Sequence, residues 1–423
     1  MLVSSTDAGD GGQLLVSARG TLALLGDAVI SSTSDGTGRA GAIQVNAKDI
    51  IIDGQGSGLA PGIQAVSQGM QSGDAGDITV SATRSLTMLR GGYVSASTFS
   101  TDGRSGSVKI DAGTLAVDGP LTHISAAAAE GSSGHTGKLD VHASDAITLS
   151  NGGTFSIRND ASADQPGVIL PSLLTVSASS ITLVNGGKIS AEAFGRNGAA
   201  SDIQIHFGDR LLVDPSSIIT SATDGNGGSI LIEGSGVLTL DHSQIRTSAG
   251  SSGNGGDITI HASALVMNGG FIQANTQGVG ASGGNVAIDV RTFVPSGSAV
   301  IIGGATPLVF QPNSSLNVIQ AAAPTGVSGK IKVSTPVTDI SGSLHRLSTE
   351  VVTFGKLATD LCRVGASSSL TPLGRGGMRP TASGLLRPEG PLVIADAERI
   401  DAARPDGPSA QAATRSASLR CER

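Results

Sequence analysis

A seven-residue frame recurs along most of this chain. Each copy begins with a small residue and continues x-Φ-x-Φ-x-small, where x is any residue and Φ is an aliphatic one. Successive copies start 27 to 35 residues apart, except for a last interval of 45, and every Φ position is Val, Ile or Leu. The starts are Gly12, Gly41, Gly76, Gly106, Gly137, Ser172, Ser201, Gly228, Gly256, Gly284 and Gly329.

The frame has the pattern of a strand that ends in a tight corner. Alternate residues of a strand point to one face, so both Φ positions and the small residue after them face inward. A second Φ-x-Φ pair follows, such as Ile50 and Ile52, and then a turn, often Asn-Gly-Gly, at Asn151, Asn185 and Asn268. Asn and Gly tolerate the positive φ that a sharp bend needs. A third short strand completes each unit.

Three short strands per unit, with columns of like residues at one period, predict an all-β protein with a parallel β-helix (solenoid) of about ten coils. The 61 glycines supply corners, and the charged fraction of only 14% reflects short outward faces. A net charge of −7 gives no indication of nucleic-acid binding. The absence of any run of 18 apolar residues predicts that no helix of this chain spans a membrane.

We expect the β-helix to occupy residues 1–343, a C-terminal cap residues 344–364, and a disordered Pro/Arg/Ala/Ser-rich tail residues 365–423. Cys362 and Cys421 fall in these last two segments and form either one disulfide or two free thiols. Three coils are long, with extra residues around 53–70, 158–171 and 295–327. Such inserts in solenoids map to surface loops, and they represent either binding loops or neutral variation in length.

Two units carry a resemblance to a known family: GGDITIHASALVMNGGFIQANTQG at 255–278 and GDITVSATRSLTMLRGGYVSAST at 76–98. Over roughly residues 10–340 the chain resembles the filamentous haemagglutinin-like exoproteins of two-partner secretion. The resemblance implies a right-handed β-helix in a non-catalytic adhesin that attaches to a host cell, a matrix or a neighbouring cell. It also implies export by an outer-membrane transporter of the two-partner secretion type.

The start of the chain departs from the pattern of that family. The family's secretion domain carries an Asn-Pro-Asn-Gly-Ile-type motif, which this sequence lacks. Residues 1–7 also lack the basic start and the apolar core of a signal peptide. We therefore expect the chain to be either the C-terminal part of a longer protein or a truncated reading frame. The resemblance implies that the mature protein is extracellular or lies on the cell surface at the outer membrane.

The position after the second Φ points outward and forms a polar column along the predicted helix. Four consecutive coils place His206, Glu233, His261 and Asp289 in it, at about 4.8 Å per coil. One interpretation is an exposed array of alternating polar groups, weakly favourable when the histidines are charged. The other is a surface site for a transition metal, since imidazole and carboxylate are suitable ligands. We predict no metal, cofactor or catalytic site and keep these four residues as the candidates.

The alternative function is a polysaccharide-degrading β-helix enzyme, either a lyase or a hydrolase. Such sites need several Asp residues with Lys or Arg on neighbouring coils to bind the sugar and move a proton. The chain has only seven Glu, and many of its Asp lie in Gly/Ser loops, where Asx-turns explain them. Nine aromatic residues along the whole chain cannot line a sugar cleft well. The sequence therefore favours a non-enzymatic protein.

Overall fold

The computed structural model describes residues 2–5, 8–55, 60–297 and 300–335. The cap and tail predicted at 344–364 and 365–423, with Cys362 and Cys421, lie outside the described residues. Within the described part all regular secondary structure is β-strand, numbered here β1 to β25 in chain order. All pairings between these described strands are parallel, and they stack coil upon coil into a β-solenoid. The predicted all-β parallel solenoid is confirmed.

The strands form two sheets. A twelve-stranded sheet, here called the short-strand sheet, contains β1 (Leu2–Ser5), β4 (Val29–Ser34), β6 (Gly62–Ser67), β8 (Tyr93–Thr98), β10 (His123–Ala128), β12 (Thr154–Asn159), β14 (Lys188–Ala193), β16 (Ser217–Ala222), β19 (Gln244–Ala249), β21 (Phe271–Thr276), β23 (Val300–Ile302) and β24 (Asn317–Gln320). A thirteen-stranded sheet, the long-strand sheet, contains β2 (Leu14–Ser17), β3 (Thr21–Leu25), β5 (Ile43–Asp53), β7 (Ile78–Leu89), β9 (Val108–Asp118), β11 (Leu139–Ser150), β13 (Leu173–Val184), β15 (Asp202–Asp214), β17 (Ile230–Gly234), β18 (Val237–Asp241), β20 (Ile258–Asn268), β22 (Val286–Pro295) and β25 (Ile331–Ser334).

Two of the three predicted strands of a coil join into one long strand in most coils. The first and second Φ-x-Φ pairs both lie in β11, for example, and the register to β9 shifts between Ala143 and Ala146. Only β2/β3 and β17/β18 are separate strands among the described coils. The small residue of the frame thus marks the irregularity where one side of the coil passes into the next.

The inward columns form one continuous aliphatic core. Every Φ residue of the frame is buried except Val16, Ile331 and Val333, which are partly buried and belong to the first and last described coils. Among the described residues, these coils have a neighbour on one side only. Each fully buried aliphatic side chain contributes about 1.5–3 kcal/mol of gross transfer free energy. Stacking coils is what buries them, because a single coil cannot cover its own core face.

The glycines that start the frame are packed against the preceding coil. A Cβ on Gly106 would lie 2.6 Å from the carbonyl carbon of Gly76, and none of the column's glycines has a positive φ. Glycine is therefore needed at these positions because two backbones approach closely. It is not needed for a left-handed conformation. Seven further positions meet the start residue of the coil before them in the same way: Gly41, Gly76, Gly137, Gly228, Gly256, Gly284 and Gly329.

Two serines interrupt this glycine column and replace the close approach with hydrogen bonds. The Ser172 hydroxyl donates to the carbonyl of Gly137 at 2.8 Å, and the Ser172 N–H donates to the Ser201 Oγ at 2.9 Å. Ser172 follows the long insert at 158–171. The long insert and the change from Gly to Ser at the coil start therefore occur at the same joint between coils.

The turns partly match the sequence prediction. Asn151 and Asn185 adopt positive φ, as expected. Asn268 does not, because it is the last residue of β20, and Gly269 takes the left-handed conformation in its place with a φ of 65°. The Asn-Gly-Gly motif therefore bends the chain in all three coils, with the bend one residue later in the third.

Candidate functional site

The structure brings the predicted polar column into register over its whole length. His206 pairs with Glu233, Glu233 with His261, and His261 with Asp289 on successive strands of the long-strand sheet. The neighbouring coil continues the column with Ser177, which pairs with His206. All four candidate residues therefore lie side by side on one outer face.

Within the polar column the four candidates associate as two pairs. The Nδ1 of His206 lies 3.4 Å from Glu233 Oε2, and the Nδ1 of His261 lies 3.8 Å from Asp289 Oδ2. These side chains are 42% to 66% exposed, so each pair contributes at most about 1 kcal/mol. No three His, Cys, Asp or Glu residues in the described part of the chain gather in a way that could hold a metal ion. The surface metal site at these four residues stays a hypothesis.

The polar column borders two shallow depressions that share Gly234. One, of about 410 Å³, is lined by His142, Ser177, His206 and Glu233. The other, of about 370 Å³, is lined by His261, Asp289 and Arg291. The column thus lines one side of a shallow groove on the outer surface.

The floor of this groove contains a matched pair of unusual side chains. The small inward position of the frame, usually Ala, is Phe207 in one coil and Gly234 in the next, and the two are register partners. A Cβ on Gly234 would lie 2.5 Å from the Cε2 of Phe207. The buried Phe ring therefore occupies the space that the missing side chain of the next coil leaves.

Carboxylates elsewhere on the long-strand sheet are bound by arginines of the next coil. Arg84 donates two hydrogen bonds to Asp49, at 2.6 and 2.5 Å, and the Ser85 hydroxyl donates a third at 2.6 Å. The hydrogen bonds from Arg84, followed by that from Ser85, hold the pKa of Asp49 below its ordinary value. Arg90 binds Asp53 across the same two coils. These carboxylates join one coil to the next.

The three predicted inserts each place a large apolar side chain on the surface. Met70 is 76% exposed, Leu170 63% and Val309 76%. Residues 56–59 of the first insert and 298–299 of the third lie outside the described residues. The third insert adds β23, which pairs with β24 at the end of the short-strand sheet.

A further pocket, of about 330 Å³, lies beside this third insert and was not among the sites predicted from the sequence. Gln244 and Arg246 of β19 line it on one side, and Leu308 and Phe310 of the insert on the other. The only sequence signal was an arginine on the outward face of a third strand next to a long coil. That signal does not show where the insert folds.

No family model, curated protein or solved structure matches this chain. Among the described residues there is no helix long and apolar enough to cross a membrane. The family resemblance of the repeat units therefore stays a prediction from the sequence.

Proposed function

We propose that this chain is a non-catalytic stalk of the adhesin type, secreted or exposed at the cell surface, which presents loops for attachment to a cell or a matrix. The observation that supports the proposal is the uninterrupted stack of the long-strand sheet, in which eleven strands from β2 to β25 follow one another in a single order. At about 4.8 Å per strand this stack is on the order of 50 Å long.

A parallel stack of this kind suits presentation for a physical reason. Each inner coil is hydrogen-bonded to both neighbours along its length and shares one aliphatic core with them. Bending the stack therefore requires hydrogen bonds to stretch and core side chains to separate in several coils at once. A stiff support keeps its loops at fixed positions, which lowers the ordering cost of attachment.

The loops offered for contact are the three inserts, with Met70, Leu170 and Val309 at their surfaces. Exposed apolar side chains are common on protein surfaces when they occur singly. All three inserts carry such a side chain, and we take this as support for a contact role of the inserts.

Attachment is tested with beads coated with the full chain and applied to cultured cells and matrix films. We expect Met70→Ser, Leu170→Ser and Val309→Ser together to reduce bead retention by at least fivefold. The matched control replaces three comparably exposed apolar residues outside the inserts, Leu15, Leu121 and Val279, by Ser. Equal retention of both variants, or no retention of the unmodified chain above albumin-coated beads, contradicts the proposal.

Export and location are a separate part of the proposal and rest on the resemblance of the repeat units. We infer that an outer-membrane transporter of the two-partner secretion type exports the protein to the cell surface. Protease added to intact producing cells should then digest the chain, and deletion of the transporter gene should abolish that digestion. Digestion only after cell lysis contradicts this inference.

A further inference from the structure

The pocket beside the third insert lies where the covered part of the short-strand sheet begins. In β19 exposure alternates, so that Gln244, Arg246 and Ser248 face outward between buried neighbours. In the next strand, β21, all six residues are buried on both faces. The chain between β23 and β24 covers that outer face. The edge of this segment, at Leu308 and Phe310, lies beside Arg246 and forms one wall of the pocket.

This wall is held in place by buried amide groups. Leu308 N donates to Gln320 Oε1 at 2.9 Å, and Gln273 Nε2 donates to the carbonyl of Leu308 at 2.8 Å. Phe310 packs edge-on against the buried ring of Phe271, with 5.2 Å between the ring centroids. Because Gln273 and Gln320 are buried and belong to strands, the wall is fixed to the sheet. The pocket is therefore preformed.

Two residues that line this pocket each have a buried polar atom without a hydrogen-bond partner. Among the described residues only four buried side-chain nitrogen or oxygen atoms are unpaired, and two of them, Gln244 Oε1 and Arg246 Nε, belong to residues that line this one pocket. An unpaired buried polar group carries an uncompensated desolvation penalty, which is larger for a charged group. Both residues line the pocket, so a molecule bound there could supply the missing partners if the two side chains turned towards it.

Within the described part of the chain, no acidic group forms an ion pair with Arg246. Glu192, the acidic residue that acts on Arg246 electrostatically, is two strands away and pairs with Lys188 at 2.6 Å. Burial lowers the pKa of Arg246, because desolvation penalises its charged form. An anion in the pocket would offset that penalty.

We propose that this pocket binds a small hydroxylated carboxylate, such as a sugar acid. A carboxylate matches the planar fork of the Arg246 guanidinium. Gln244 Oε1 is a hydrogen-bond acceptor, so a ligand that pairs with it needs a donor such as a hydroxyl. Leu308 and Phe310 provide an apolar wall for the carbon skeleton. The proposal does not depend on the attachment function, since a soluble ligand suffices for it.

Ligand-detected NMR and calorimetry with the full chain test this proposal. The probes are glucuronate, glucose as its neutral counterpart, and phenylacetate as a carboxylate without a hydroxyl. We expect saturable binding of glucuronate at millimolar concentration or below, and at least tenfold weaker binding of both other probes. Binding of glucose as tight as that of glucuronate, or no saturable binding of glucuronate, overturns the proposal.

Variants identify the side chains involved. Arg246→Gln should weaken glucuronate binding at least tenfold, whereas Arg210→Gln, at an exposed arginine of the long-strand sheet, should leave it unchanged. Gln244→Leu should weaken glucuronate binding but not phenylacetate binding. If Arg246→Gln does not fold by circular dichroism, Arg246→Lys keeps the charge and loses the fork, and it should bind at least threefold more weakly. Unchanged affinity in the folded Arg246 variant overturns the assignment.

Discussion

Replacing Gly106 by alanine tests whether close backbone stacking joins the coils. The added Cβ would lie 2.6 Å from the carbonyl carbon of Gly76, closer still to its oxygen, and 3.1 Å from the nitrogen of Asp77. An ordinary contact with that carbon needs at least 3.4 Å. The two coils must therefore separate locally by at least about 0.8 Å, the difference between these distances, because the closer oxygen requires a larger movement still.

The cost of that separation follows from the hydrogen bonds beside it. Ile78 N donates to the carbonyl of Ser107 at 2.9 Å, and Ser107 N donates to Asp77 Oδ1 at 2.8 Å. An added 0.8 Å takes both beyond hydrogen-bonding distance, at about 1 kcal/mol each. Strain in the adjoining core adds about 1–2 kcal/mol. We expect Gly106→Ala to lower the free energy of unfolding by about 3–4 kcal/mol.

Gly12→Ala is the matched control, because Gly12 occupies the same column and a Cβ there meets nothing within 4 Å. At such a site Gly→Ala is neutral or stabilises by up to about 1 kcal/mol through the unfolded chain. Urea unfolding followed by circular dichroism measures both variants, and hydrogen exchange should show faster opening around residues 76–110 in Gly106→Ala only. A Gly106→Ala variant as stable as Gly12→Ala would refute the stacking argument.

Three further predictions concern the long-strand sheet. Gly234→Ala should destabilise by about 1–3 kcal/mol because its Cβ meets the Phe207 ring, and adding Phe207→Ala should remove most of that cost; simply additive urea midpoints would contradict the pairing. Asp49 has a lowered pKa when folded, so its contribution is present above its unfolded pKa of about 4 and is lost as pH falls through the folded value. Asp49→Asn should therefore lower the urea midpoint at pH 7, with a difference that shrinks towards pH 2; a constant difference would speak against it. Zinc titrated into the unmodified chain should give no more heat than into His206→Ala, and a larger saturable heat would instead indicate a metal site.

The core of this fold was predictable because its signal is local and repeated. Two β-branched or aliphatic residues at i and i+2, such as Ile258 and Ile260, recur in every coil. Once one such pair is assigned to a strand, the repeat predicts the corresponding strand in every other coil. The outward register of the polar column follows from the same alternation. The role of the frame's first glycine was less evident, because sequence cannot distinguish a glycine needed for positive φ from one needed for close approach.

The pocket at Arg246 was not predictable, since its second wall comes from a segment without periodicity. The contact between Leu308 and Gln320 depends on how the third insert folds back, and no repeat specifies that path. Only the fold shows that Gln244 and Arg246, each with an unpaired buried atom, line one cavity. The sequence pointed to the long coil, whereas the site lies between that coil and its neighbour.

The glycine column has a consequence for how such a chain changes in length over generations. Each joint between coils that start with Gly presents the same backbone surface to the next, so the joints are interchangeable. In-frame recombination between two such starts, for example Gly228 and Gly256, would add or remove one whole coil and leave an equivalent joint behind. The coils that start at Ser172 and Ser201 use side-chain hydrogen bonds particular to them, so crossovers there would produce mismatched ends. Length variants of this gene should therefore have their breakpoints at the glycines.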